Sequence, residues 1–165
     1  MGLRGRGLDG PTFRMREKMM AIGDDYWIED DDGNKVFKVN GKAARLRETF
    51  ILEDTQGNEL SKIQEKKLTV RDKMTIEWGD SHATVRKRLL GIRDHYIIEV
   101  DGGEDLKAHG NIVDHEYEIE RDGDTVANIS KRWFRVRDTY GVEITAGEDE
   151  AMILATVVAL ESLTD

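Results

Sequence analysis

The chain has 165 residues, 36% of them charged and 38% apolar, and its 34 acids outnumber 25 lysines and arginines for a formal charge of -9. That length predicts one compact domain with enough apolar residues for a core, and the mixing of both charge signs excludes wholesale disorder. The acidic balance disfavours sequence-blind attraction to nucleic acid, no apolar run approaches the roughly 20 residues of a membrane span, and the lack of cysteine removes disulfides and thiolate chemistry.

Residues 1–12 hold four glycines, two arginines and Pro11, and read as a flexible leader before a single domain over 13–165. Met1-Gly2 does not open a myristoylation signal, because Arg6 stands where Ser or Thr is wanted. An opening strand is predicted over Phe13 to Ala21.

From there the chain repeats. Asp24, Glu48, Asp72, Asp94, His115 and Asp138 mark six anchors at spacings of 24, 24, 22, 21 and 23 residues. Two positions before each stands an aliphatic residue: Ile22, Leu46, Val70, Ile92, Val113 and Val136. Two after stand Tyr26, Phe50, Met74, Tyr96, Tyr117 and Tyr140, and four after stand Ile28, Leu52, Ile76, Ile98, Ile119 and Val142. Apolar residues at every second position are the period of a half-buried strand. Glycines follow within nine residues, at Gly33, Gly57, Gly79, Gly102, Gly123 and Gly147, and the first five sit among polar turn formers. Each unit therefore reads as strand, tight turn, returning strand.

After Gly147 the period changes. Residues 148–163 carry apolar side chains on every side of a helix, with Glu148, Asp149 and Glu150 in its first turn and Thr145 at capping-box spacing from Glu148. Such a helix requires burial all round. One opening, six outgoing and five returning strands make twelve, and an antiparallel barrel that wide leaves an interior that strand side chains alone do not fill. The expected fold is mainly β: a closed antiparallel barrel of about 12 hairpin strands enclosing a central C-terminal helix.

The repeated Arg-acid corners, Arg16-Glu17-Lys18, and the stretch from Lys131-Arg132-Trp133 to Arg137-Asp138-Thr139-Tyr140-Gly141-Val142, followed by an acidic turn and apolar helix, resemble the LURP-one-related family from about Phe13 to Leu163. The resemblance implies the tubby C-terminal-like fold, a twelve-stranded barrel around a central helix. Tubby proteins bind phosphoinositides, phospholipid scramblases are thought to share the barrel, and plant members of the family are associated with defence. The resemblance carries over no catalytic residue.

Three basic clusters stand near the ends of returning strands: Lys66 with Lys67, Arg86-Lys87-Arg88, and Lys131-Arg132 with Arg135. On one rim they would form a phosphate-binding patch with Trp133 as an interfacial anchor; the plainer reading is a solvated rim offset by neighbouring acids. The dyads Arg47-Glu48, Arg71-Asp72, Arg93-Asp94 and Arg137-Asp138 read as equivalent corners of equivalent hairpins. Asp30-Asp31-Asp32-Gly33-Asn34 fails the EF-hand pattern, which wants glycine where Lys35 stands and glutamate where Gly41 stands, and reads as a polar hairpin tip. His82, His95, His109 and His115 lack zinc-motif spacing, so no metal site is expected, and no hydrolase, zincin or nucleotide-loop motif occurs. The expected function is non-enzymatic and without cofactor. It is a binding module for an anionic phospholipid headgroup, or alternatively a structural or protein-interaction scaffold with no lipid ligand. The expected address is cytoplasmic, at or away from a membrane surface, with no transmembrane segment and no nucleic-acid partner.

Overall fold

The structure is a computed structural model describing residues 8–17, 25–41, 48–66, 73–88, 94–133 and 138–164. Twelve antiparallel strands run in sequence order around a closed barrel: β1 Thr12–Arg16, β2 Asp25–Asp30, β3 Lys35–Gly41, β4 Thr49–Glu53, β5 Glu59–Lys66, β6 Lys73–Trp78, β7 Ser81–Arg88, β8 Asp94–Val100, β9 Leu106–Asn111, β10 Glu116–Arg121, β11 Asp124–Ser130 and β12 Thr139–Ile144. Closure is made by β1 on β12, paired over five residues from Thr12 opposite Glu143 to Arg16 opposite Thr139. A closed sheet leaves no edge, so every strand has two neighbours.

The alternation in the sequence decides which side faces in. All twelve residues two and four positions after the anchors are buried, from Tyr26 and Ile28 to Tyr140 and Val142. The helix α1 spans Glu150–Thr164, two residues later at its start and one at its end than expected. Residues 152 to 161 are buried on all sides, with Ile153 to Leu160 fully so. It packs on β5, β6, β7 and β12 as the filling of the barrel. Among the described residues no helix is long and apolar enough to cross a membrane.

Two polar hairpin tips are braced by an aspartate of their own. Asp30 accepts backbone N–H bonds from Asp32 and Asn34 on one carboxylate oxygen, both at 2.9 Å, and Asp54 repeats this with Gln56 and Asn58. The bond from the Asn34 backbone holds the Asp30 carboxyl below the usual range, and the Asn58 side chain does the same for Asp54. Gly33 and Gly57 take φ of 82° and 84°, which a side chain rarely adopts.

Three details differ from expectation. The helix N-cap is Asp149, whose carboxylate accepts the Met152 N–H at 3.2 Å; Thr145 is drawn instead to the Thr125 carbonyl and Glu148 to Arg121, because the barrel offers both a partner. At the fifth corner Val113 is 59% exposed and Ile112 fully buried, since residues 112–115 form a turn that shifts the apolar position by one. The opening strand runs from Thr12 to Arg16 and gives way to a bend at Glu17, and residues 18–21 of its expected span lie outside the described residues. Of the expected leader, 1–7 also lie outside them, while the carbonyls of Leu8 and Pro11 accept backbone bonds from Ala146 and Ile144.

Candidate functional site

The returning strands end at one rim, and the basic clusters ride on those ends. Lys66 closes β5, Arg86, Lys87 and Arg88 close β7, and Lys131 with Arg132 follows β11. Lys67 and Arg135, like the four corner arginines Arg47, Arg71, Arg93 and Arg137, lie outside the described residues.

Register joins part of this set. Lys66 stands directly opposite Lys73 on β6, and Lys73 directly opposite Arg86 on β7, so three cations form one row across three strands. Their neighbours Met74 and Val85 point into the core, which turns the row outward. The next row, Gln64, Thr75 and Thr84, is uncharged. Like charges directly opposite one another on a sheet destabilise it. One acid answers them: Arg86 bonds Glu99 at 3.1 Å, and this bond, with the more distant charge of Lys73, holds the Glu99 carboxyl below its usual range. Lys66, Lys73 and Arg88 make no ion pair among the described residues. Beyond Arg86 the same row continues to Ile97 and Lys107. Arg86, Arg88, Ile97, Lys107, Glu99 and Glu120 line an open groove of about 550 Å³.

The third cluster stands apart. β11 is six strands from β5 in a ring of twelve, the opposite wall. Lys131 is paired with Glu17 at 2.8 Å, which raises its pKa, and Arg132 with Glu116 at 3.5 Å. Trp133 is half-buried beside them, lining a groove of about 460 Å³ with Glu116, Tyr117 and Ser130. Lys73 is absent from the sequence-derived set because it follows the Arg71-Asp72 corner at the start of a strand rather than closing a returning one; the β5–β6 and β6–β7 registers reveal it.

At the same rim the helix ends in a buried polar cluster. Glu161 accepts hydrogen bonds from His115 Nδ1 at 2.8 Å and from the Tyr117 hydroxyl at 3.2 Å. The His115 ring stacks on Tyr140, centroids 4.6 Å apart and 6° from parallel. His115 Nε2 faces Glu17 at 3.7 Å, and Ser162, the next residue on the helix, bonds Glu48. The fifth anchor is thus histidine where the others are acids, because the helix supplies the acid. Both His115 and Glu161 are buried, so the cluster fastens the helix rather than receiving a ligand.

Burial, then the Glu161 charge and its hydrogen bond, push the Tyr117 hydroxyl well above its ordinary pKa of 10.0. Folding thus retains a proton that the unfolded chain releases. Its stabilisation is complete below pH 10 and is lost as pH rises above that value toward the folded pKa. In urea unfolding from about pH 9 to 11 the stability should fall, and Tyr117→Phe should flatten that fall; an equal slope in both proteins would refute the assignment.

Donor atoms of one mixed histidine and acid group, His109, Glu118 and Glu120, converge within 4.8 Å of one another among the described residues.

Comparisons with known proteins agree with this architecture. A family model described as LURP-one-related matches residues 11–161. A protein from Arabidopsis thaliana solved by X-ray crystallography superposes with a TM-score of 0.69 at 17% identity, covering 94% of this chain and 93% of the other. A search of curated proteins finds no match.

Proposed function

Since the chain belongs to the LURP-one-related family, we propose that it is a non-enzymatic binding module that engages an anionic phospholipid headgroup through the outer wall of its barrel. The carrying observation is the row Lys66, Lys73 and Arg86, three cations answered among the described residues by one acid, Glu99, which bonds Arg86. Adjacent cations at cross-strand distance cost stability unless an anion sits over them. A phosphate does so, and Arg88 offers a forked donor suited to its oxygens, while the Arg86 fork is shared with Glu99. Lys87 stands between those two arginines on β7 but opposite Tyr96, so alternation turns it from the outward row and leaves it a contribution at the rim, and Lys67 follows Lys66 in the chain. Lys131, Arg132 and Arg135 form the third cluster and are secondary in this reading.

Flotation with phosphatidylcholine vesicles containing phosphatidylserine or a phosphoinositide tests it. Binding is expected at low salt and should fall as salt rises. Each basic residue near an anionic surface contributes about 1 kcal/mol, so Lys66→Glu/Lys73→Glu/Arg86→Glu should weaken binding by roughly a hundredfold. Lys131→Ala/Arg132→Ala, which removes cations already paired with acids, should change it much less. Undetectable binding at low salt, or binding indifferent to the triple reversal, defeats the proposal.

A further inference from the structure

His109 and Glu118 stand directly opposite each other in the β9–β10 pairing, and Glu120 is two residues further along β10. Strand alternation therefore sends all three side chains to the outer face. His109 Nε2 lies 3.3 Å from Glu118 Oε1 and 2.6 Å from Glu120 Oε2. All three side chains are half-buried, accessible to an ion yet partly withdrawn from water.

The arrangement is unbalanced as it stands. An imidazole Nε2 carries one proton at most, so it donates to one carboxylate and leaves the other without a proton from the ring. Lys107, opposite Glu120 in the register, lends it a distant positive charge but forms no ion pair with it among the described residues. Two carboxylates sharing one proton repel each other. A divalent cation offsets that repulsion and takes all three donors at once. Two donors about 2.0 Å from a tetrahedral ion stand about 3.3 Å apart, the separation found between His109 and Glu118. Glu120 reaches the same spacing by withdrawing about 0.7 Å, within the freedom of its side chain. His95, opposite His109 on β8, stacks on it with centroids 6.1 Å apart and planes 26° apart, which steadies the imidazole.

We propose that His109, Glu118 and Glu120 form a divalent-metal site on the outer wall of the barrel, with one imidazole and two carboxylate donors and a fourth position left to water. The imidazole selects a borderline ion such as Zn²⁺ or Co²⁺ over Mg²⁺ or Ca²⁺. Because the residues come from two strands, neither the spacing of the histidines nor that of the acids announces the site.

The test is titration of the full, untagged chain with Zn²⁺ by calorimetry and with Co²⁺ by visible absorption. One equivalent should bind, with the intense cobalt bands of a four-coordinate site. His109→Ala should abolish the bands, and Glu118→Gln and Glu120→Gln should each weaken binding at least about tenfold. His82→Ala, whose ring pairs with Asp101 elsewhere, should leave affinity unchanged. All these side chains face outward, so circular dichroism of the metal-free variants should match the parent. No heat and no cobalt bands at millimolar metal, or equal uptake by the parent and His109→Ala, would overturn the site.

Discussion

Ala155→Lys is expected to abolish cooperative folding of the barrel. Ala155 is fully buried in a helix whose residues 152 to 161 are enclosed on every side, with Ile63, Met74 and Ile76 of the adjoining β5 and β6 in the same core. Among the described residues the core around it is apolar, so a lysine there lacks a counter-charge and reaches water only by displacing the wall. Its effective burial penalty is several kcal/mol, against a total stability of about 5–15 kcal/mol for a typical domain. Thermal melting followed by circular dichroism reads the effect, with Ala146→Lys as the exposed control. A variant at 155 that melts at the parent temperature would mean that the helix is not enclosed.

Glu161→Leu should cost about 3–5 kcal/mol in urea unfolding, because it strips the shared acceptor from two buried donors. His115 Nδ1 and the Tyr117 hydroxyl both bond this carboxylate, and neither has water to turn to. Glu161→Gln keeps one acceptor oxygen and should cost less. Adding Tyr117→Phe to Glu161→Leu removes one orphaned donor, so the double variant should be more stable than the sum of the singles allows. A loss under about 1 kcal/mol for Glu161→Leu would show that the helix is held by apolar packing alone.

Much of the fold was legible because its signals are local. Tyr26 and Ile28, or Tyr96 and Ile98, reveal an inward face by their spacing alone, and Gly33 or Gly57 reveals a turn by the backbone it must adopt. The enclosed helix was legible for a complementary reason: a segment apolar on all sides has no stable place on a surface. Its cap was misplaced because Thr145 and Glu148 have the right spacing but better partners across the barrel, in Thr125 and Arg121.

The candidate sites were only partly legible. Arg86, Lys87 and Arg88 stand out as a run, whereas Lys73 gains meaning from Lys66 on one side and Arg86 on the other. Lys131 and Arg132 resemble that run in sequence, yet they follow a strand on the opposite wall beside Glu17 and Glu116. His109 meets Glu118 and Glu120, and His115 meets an acid 46 residues away on the helix, through pairings that no spacing rule contains.

By itself the sequence determined the alternation of inner and outer positions, the turns, the number of hairpins and the need to enclose the final helix, since each follows from forces acting within a few residues. Only the tertiary structure decided which outward side chains share a row, which cations keep a neighbouring acid and which buried groups meet at the rim. Those outcomes depend on strand register and on closure of β1 against β12, and residues far apart in the chain become neighbours only when the ring is complete.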